Sequence, residues 1–312
     1  MSPCGYGVLG VRILVSGAAG FIGGHLYKYL VDRGYDVVGI DNFSRPNRYI
    51  LDMLRESGLD VLKVDVRNLP RWRFEEGFTH FIHLAAFIDV DESMAKPEIY
   101  FDNNVGGTSA ALEYARRTGV EKFILASSAS VYGEPEHLPI DEGHPLRPLS
   151  PYGYSKVLGE QLLEMYSKVY GIDGIVLRIF NVYGPGQSGG YAGVISRFID
   201  RVSRGEPPII YGDGLQTRDF IHVCIAFEKA LTYESGYSVF NIASGQSISI
   251  NELASLIIKL SGLDLEPLYS DARPGDIRQS RADISRAREA LGFEPSINLE
   301  EGIRKLLMEP NI

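Results

Sequence analysis

Short apolar runs ending in glycine, serine or an acid alternate with amphipathic stretches along the first half of the chain. Ile13-Leu-Val-Ser16 runs into Gly17-Ala-Ala-Gly20-Phe-Ile-Gly23, and an amphipathic stretch continues to Arg33, where Gly34 stops it. This pattern predicts strand, tight turn and helix. It then recurs. Strands are predicted at 35–40, 61–66, 79–86 and 121–127, and a long helix over 97–118, interrupted in composition by Asn103-Asn104-Val-Gly-Gly. A further helix opens at Pro151 and extends to about 170. Strands and helices in strict alternation, with short links, predict an α/β fold built on a doubly wound parallel sheet.

The alternation fades after Ile175-Val-Leu-Arg178-Ile-Phe180-Asn181, where a glycine-rich stretch, 187–193, follows. A first domain is therefore expected over 11–182, with the chain returning to it at about 219–258. A smaller C-terminal α/β lobe that binds substrate takes 183–218 and 259–312. Residues 1–10 show no period and are expected to form a loose extension. No repeat or low-complexity tract is present.

The chain has 312 residues and is 45% hydrophobic, enough for a full-sized core. Its net charge of −9 argues against a general nucleic-acid binder, so an anionic ligand would have to be held by local arginines. The two cysteines, Cys4 and Cys224, are too few for a disulfide framework and lie in no metal-ligand spacing. Both read as ordinary thiols, and no metal is expected. No apolar run approaches the roughly 18 residues of a membrane span, and the first residues lack the basic region of a signal peptide. A cytoplasmic setting is the expectation.

Candidate chemistry begins at the glycines. Gly17, Gly20 and Gly23 stand where a backbone must turn sharply or approach a ligand closely. The helix behind them points unsatisfied N–H groups and its positive dipole end at the turn, which suits a pyrophosphate. Asp41-Asn42 closes the second strand about 20 residues beyond the turn, where an acid accepts from adenosine ribose hydroxyls and repels a 2′-phosphate. NAD is thereby favoured over NADP. Asp65, ending the third strand, is placed to meet the adenine amino group, and the small Ala85-Ala86 leaves room for a cofactor backbone. Tyr152 and Lys156 are four apart and share a helix face. An ammonium near a phenol favours the phenolate, and Ser128 at a strand end could share the same substrate oxygen. This is acid–base equipment for taking a proton from an alcohol while hydride leaves its carbon. Two loop clusters, 211–220 with Tyr211 and Arg218, and 271–276 with Arg273 and Asp276, could grip a pyrophosphate or pair as ordinary surface ions.

These residues carry a resemblance. The stretches Gly17-x-x-Gly20-Phe-Ile-Gly23, Asp41-Asn42, His83-Leu-Ala-Ala86, Asn104-Val-x-Gly-Thr108, Ser127-Ser-Ala-Ser-Val-Tyr-Gly133, Tyr152-x-x-x-Lys156, Phe180-Asn181 and Arg218-Asp-Phe-Ile-His222 resemble the extended short-chain dehydrogenase/reductases acting on nucleotide sugars. Within them the chain is similar to the UDP-glucose (UDP-galactose) 4-epimerases, from Val11 to Leu307. The resemblance implies a Rossmann-type sheet and tightly bound NAD. It implies catalysis by Tyr152 with Ser128 and Lys156, through a transient 4-keto sugar. Gly17, Gly20, Phe21, Ile22, Gly23, Asp41, Asn42, Asp65, Val66, Leu84, Ala85, Ala86, Asn104, Ser127 and Phe180, with Tyr152 and Lys156, would line NAD. Ser128, Tyr152, Asn181, Tyr211, Arg218, Arg273, Asp276 and Ser280 would contact the UDP-sugar. Ser128 is followed by Ala129-Ser130 rather than the acid pair of the related 4,6-dehydratases, which disfavours elimination of water. Ser280 aligns where many hexose-restricted epimerases carry a bulky residue, which implies room for N-acetyl sugars. A UDP-glucuronate enzyme or a reductase on the same scaffold, or a non-catalytic NAD-binding scaffold, are the alternative readings. A homodimer pairing the helices near 97–118 and 150–170 is implied too.

Overall fold

The computed structural model describes residues 10–74, 77–187, 193–223, 226–234, 236–272 and 277–308. Residues 1–9, both cysteines, most of the 187–193 stretch, and Arg273 and Asp276 lie outside the described residues. The first half of the chain forms β1 (Arg12–Ser16), α1 (Phe21–Asp32), β2 (Asp36–Asp41), α2 (Arg48–Glu56), β3 (Val61–Lys63) and β4 (His80–His83). Then come α3 (Val90–Ala95), α4 (Pro97–Tyr100), a π-helical turn at Phe101–Gly106, α5 (Gly107–Thr118), β5 (Lys122–Ser128), α6 (Pro151–Tyr170) and β6 (Asp173–Ile179). The second half adds β7 (Asn181–Tyr183), α7 (Val194–Ser203), β8 (Ile209–Tyr211), β9 (Thr217–His222), α8 (Ala226–Leu231) and β10 (Tyr237–Ile242). It closes with β11 (Ser247–Ser249), α9 (Ile250–Ser261), β12 (Leu268–Ser270), α10 (Ser285–Leu291) and α11 (Leu299–Met308).

A seven-stranded sheet runs in the order β10-β6-β5-β4-β1-β2-β3. The pairs β3–β2, β2–β1, β1–β4 and β4–β5 are parallel. The Gly174 and Phe180 N–H groups donate to the carbonyls of Gly236 and Ile242, a constant offset that makes β10 parallel to β6. The chain winds outward from β1 through β2 and β3, then returns to the other side of β1 at β4. That reversal leaves a crevice at the carboxyl ends of β1 and β4, the place where doubly wound sheets take ligands. β1 and β4 are buried along almost their whole length because helices cover both faces of a parallel sheet.

Two predicted strands end early. The third stops at Lys63, because the Asp65 side chain accepts from the Arg67 N–H and opens a short 3-10 helix, Val66–Arg71. The fourth covers only His80–His83, since Leu84 onward leaves the sheet to line the crevice. The predicted 97–118 helix is continuous, but its Asn-Asn-Val-Gly segment widens into the π turn. α6 matches its prediction: Ser150 caps it by accepting from the Gly153 N–H, Pro151 occupies its first turn, and left-handed Gly171 ends it.

Packing divides the chain into two compact units. The first comprises Met1–Val131, Ser150–Arg178 and Cys224–Phe240, and the second Tyr132–Leu149, Ile179–Val223 and Asn241–Ile312. The first unit's core gathers Leu14, Phe81, Phe123, Leu163 and Val176 between the sheet and its helices. The second unit contains a three-stranded sheet, β11-β9-β7, and a two-stranded one, β12-β8. Its own core is built from Phe198, Ile199, Phe220, Leu253, Ile257 and Ile303. Among the described residues no helix is long and apolar enough to cross a membrane.

Candidate active site and dinucleotide crevice

At the end of β1, Gly17 takes φ +77°, and a Cβ built there would lie 2.8 Å from the Ala85 nitrogen. A Cβ on Gly23 would lie 2.1 Å from the Gly17 carbonyl oxygen. Glycine at both positions lets β1, the start of α1 and the end of β4 converge. No side chain caps the N-terminus of α1, so its first N–H groups remain directed at the turn. Beside it lies a crevice lined by Gly20, Asp41, Asn42, Val64, Val66, Ala85 and Ala86, together with Ser44, Arg45, Phe87 and Asn103. Val64 and the last four are absent from the predicted cofactor residues.

Asp41 sits at the crevice with one oxygen accepting from the Phe43 N–H at 2.7 Å and the other from the Ala19 N–H at 3.2 Å. Burial raises its pKa above the ordinary carboxylate value, against the pull of those two N–H groups. Each oxygen keeps lone-pair capacity for a further donor. Asp65 is committed to an ion pair: Arg67 and Asn42 both donate to it, and Arg67 first of all holds its carboxyl down at about 2. Arg45 is neutralised by two bonds to Glu92, at 2.6 and 3.1 Å, and stacks 3.8 Å over the Phe87 ring. Phe87 is in turn fixed by Asn104, whose amide exchanges two hydrogen bonds with the Phe87 backbone and donates a third to Ser155. Asn104 is buried and its polar atoms are used within the protein, so it shapes the crevice from behind.

The acid–base candidates stand at the junction of β5 and α6. Tyr152 and Lys156 are both 8% exposed. The Ser128 hydroxyl near the Tyr152 phenol favours its phenolate, but burial outweighs this and pushes the phenol above its usual 10. The sequence expectation joins the Lys156 ammonium to a bound nicotinamide cation; within the chain itself the desolvation of the phenolate is the larger effect. Lys156 donates to the Ala126 carbonyl at 2.9 Å, and its Nζ lies 5.9 Å from the Tyr152 ring centre. Burial lowers the lysine to about 8, partly opposed by Glu160. The Ser130 N–H donates to the Ser128 oxygen at 3.2 Å.

Three buried groups behind these residues receive no role from the sequence reading, although His83 lies within one of its motifs. His83 bridges Ser16 (2.8 Å) and Thr108 (3.2 Å), tying β1 to α5, and burial keeps it neutral with a pKa near 3. Glu160 and Arg178 form a buried ion pair at 2.7 Å, and Ser127 donates to the same carboxylate. Ser127 therefore turns its hydroxyl inward. Glu160 and Arg178 could have been suspected as lone charges within apolar runs.

The second unit collects several predicted substrate residues around β9. The Arg218 guanidinium donates to the carbonyls of Thr217 and Ile277, at 2.8 and 2.6 Å. Asn181 donates to the Asp219 carbonyl at 3.0 Å, and the Ser280 N–H to the Thr217 hydroxyl at 3.3 Å. Tyr211 ends β8, its carbonyl accepting from Gln216. Phe180 is buried, with its N–H bonded to the Ile242 carbonyl. Asp219 is fully buried and accepts from Ser244, Gly245 and Ala282, which holds the strand carrying Arg218 against the 280s segment.

The glycine cradle, the uncapped helix and the acid at the end of β2 therefore fit a dinucleotide. Comparison with known proteins agrees. Over residues 13–243 the sequence matches the NAD dependent epimerase/dehydratase family. It is 39% identical over 303 residues to a UDP-glucose 4-epimerase of Mycolicibacterium smegmatis, covering 95% of this chain and 97% of that one. Two solved structures superpose closely. A UDP-N-acetylglucosamine 4-epimerase of Methanobrevibacter ruminantium, in complex with UDP-N-acetylmuramic acid, gives a TM-score of 0.89 at 34% identity, covering 97% of this chain and 99% of that one. The UDP-glucose 4-epimerase of Thermotoga maritima, with UDP-glucose, gives 0.88 at 34% identity, covering 96% and 98%. With a matched stretch spanning the cradle, the crevice and the Ser128–Tyr152–Lys156 junction, the chain belongs to the NAD dependent epimerase/dehydratase family.

Proposed function

We propose that the protein inverts C4 of UDP-hexoses, interconverting UDP-glucose with UDP-galactose and their N-acetyl counterparts, through a 4-keto sugar. The observation that carries this is the convergence of Ser128, Tyr152 and Lys156 where β5 meets α6, with Ala129-Ser130 rather than acids after Ser128. Bound in oxidised form, NAD supplies a hydride acceptor and a positive charge beside the phenol. Gly20 and the Phe21 and Ile22 N–H groups would hold its pyrophosphate, and Asp41 its adenosine ribose. Asn42, Asp65, Val66, Leu84, Ala85, Ala86 and Phe180 would line its other contacts. The Asp41 carboxylate and the neutralised Arg45 both disfavour a 2′-phosphate.

Tyr152 would take the 4-hydroxyl proton and return it after the keto sugar has turned over. Ser128 shares the oxygen, and Lys156 stabilises the phenolate and grips the nicotinamide ribose. Asn181, Tyr211, Arg218, Arg273 and Asp276 would hold UDP while the sugar moves. A panel of UDP-glucose, UDP-galactose, UDP-GlcNAc and UDP-glucuronate, followed by separation of the sugars, tests the reading. Turnover of UDP-glucuronate alone would replace it with the glucuronate alternative.

The small Ser280 supports acceptance of N-acetyl sugars. Replacing it, Ser280→Tyr, should cut UDP-GlcNAc turnover about 100-fold relative to UDP-galactose. Equal losses on both sugars would remove Ser280 as the discriminating residue.

We also infer a homodimer. Tyr154, Leu158, Met165 and Val169 form an exposed apolar stripe on α6, with Met94 and Phe101 exposed on α3 and the π turn. A stripe of this size on a surface helix marks an interface. Leu158→Glu combined with Val169→Glu should give a monomer by light scattering, and an unchanged mass would place the interface elsewhere.

A further inference from the structure

The face of α6 that carries Tyr152 and Lys156 continues one turn further to Glu160. Each of the three meets a neighbouring residue at the end of β5. Tyr152 faces the neighbourhood of Ser128, Lys156 donates to the Ala126 carbonyl, and Glu160 accepts from Ser127. Glu160 is 3% exposed, and Arg178 from β6, 4% exposed, donates to both of its oxygens at 2.7–3.2 Å. A fully desolvated ion pair contributes little net stability compared with apolar side chains of the same volume, which points to a role other than stability. Its position, one turn behind Lys156 and on the strand end that carries Ser128, suggests what that role is.

We propose that Glu160, clamped by Arg178 and Ser127, is a positioning residue for the reaction: it fixes the register of α6 against the end of β5 and stands as a carboxylate one turn behind Lys156. This rests on the reading of Tyr152 as the acid–base group. The ionisable groups around Lys156 are few. Tyr152 and Glu160 lie on its own helix, neutral His83 comes from β4, Arg178 from β6 backs Glu160, and Tyr237 from β10 feels Glu160. The π turn buries the neutral Asn103 and Asn104, while its Asp102 is exposed and paired with Arg67. Among the described residues, Glu160 is the negative group that opposes the lowering of the lysine by burial.

Glu160→Gln alone leaves a buried guanidinium without a charged partner and is a poor test, because unfolding would mask any effect on the lysine. The double variant Glu160→Gln with Arg178→Met removes both charges and keeps an acceptor for Ser127. Two readouts apply. The alkaline limb of the kcat–pH profile, where Lys156 loses its proton, should move down by about one pH unit in the double variant. In cofactor-free protein, the Lys156 Nζ resonance, followed by NMR against pH, should move by the same amount. A folded double variant with both curves unchanged overturns the proposal. So does a wild-type Lys156 that is already neutral at pH 7, a result that needs no variant. If wild-type protein turns over no UDP-sugar, the functional reading falls, while the lysine titration still decides this one.

Discussion

Tyr152→Phe is expected to abolish epimerisation while leaving the fold and the NAD content unchanged. The ring stays in its buried site, and only the hydroxyl near Ser128 is lost, at a cost of about 1 kcal/mol. Removing a positioned general acid–base group lowers kcat by roughly 10²–10⁴-fold. Turnover of UDP-galactose, with NAD released by denaturation and counted per chain, separates loss of chemistry from loss of cofactor. Activity within tenfold of wild type would show that another group moves the proton. The pH profile should follow the same residues. Burial raises Tyr152 and lowers Lys156 to about 8, so loss of the ammonium as pH rises through that value removes the phenolate's stabilising charge.

The second large effect is expected at Gly23→Ala. The added methyl would stand 2.1 Å from the Gly17 oxygen and 2.7 Å from its carbonyl carbon, both backbone atoms of the same turn. No flexible side chain can yield there, so the turn must open. Overpacking of this kind costs about 1–3 kcal/mol, and an opened turn no longer aims the α1 N–H groups. The variant should purify without NAD and with a lowered unfolding midpoint. Gly58→Ala is the control: Gly58 has φ +69° and nothing within 4 Å of a built Cβ. It should lose only backbone strain energy and keep its NAD. Full NAD content in Gly23→Ala would show that the turn does not hold the pyrophosphate.

Much of this arrangement can be read from the chain because it is local. The glycine turn, the acid ending β2 and the Tyr152–Lys156 pair each lie within a few residues, and apolar period alone places β1, β5 and α6. The hidden parts join distant positions. Arg45 finds Glu92, Ser16 finds His83, and Glu160 finds Arg178, with separations no periodicity encodes. Asp219, next to Arg218, looks like a partner for that arginine, yet its carboxylate is fully buried and holds Ser244, Gly245 and Ala282. The expected strand over 61–66 fails for a local reason that hydropathy does not weigh, the capping power of Asp65. Segment 132–149 precedes α6 in the chain but packs with the second unit, because contacts such as Tyr132 to Asn241 and Ile140 to Ala282 outweigh chain order.

The widened turn at Phe101–Gly106 has an evolutionary corollary. A lone extra residue within a helix swings everything after it by about 100°. Thr108, which reaches back to both the Asn104 carbonyl and His83, points inward only with that phase offset in place. Loss of one residue here would leave a smoother helix facing the wrong way, so natural variants of this stretch should differ by exchange of residues rather than by shortening.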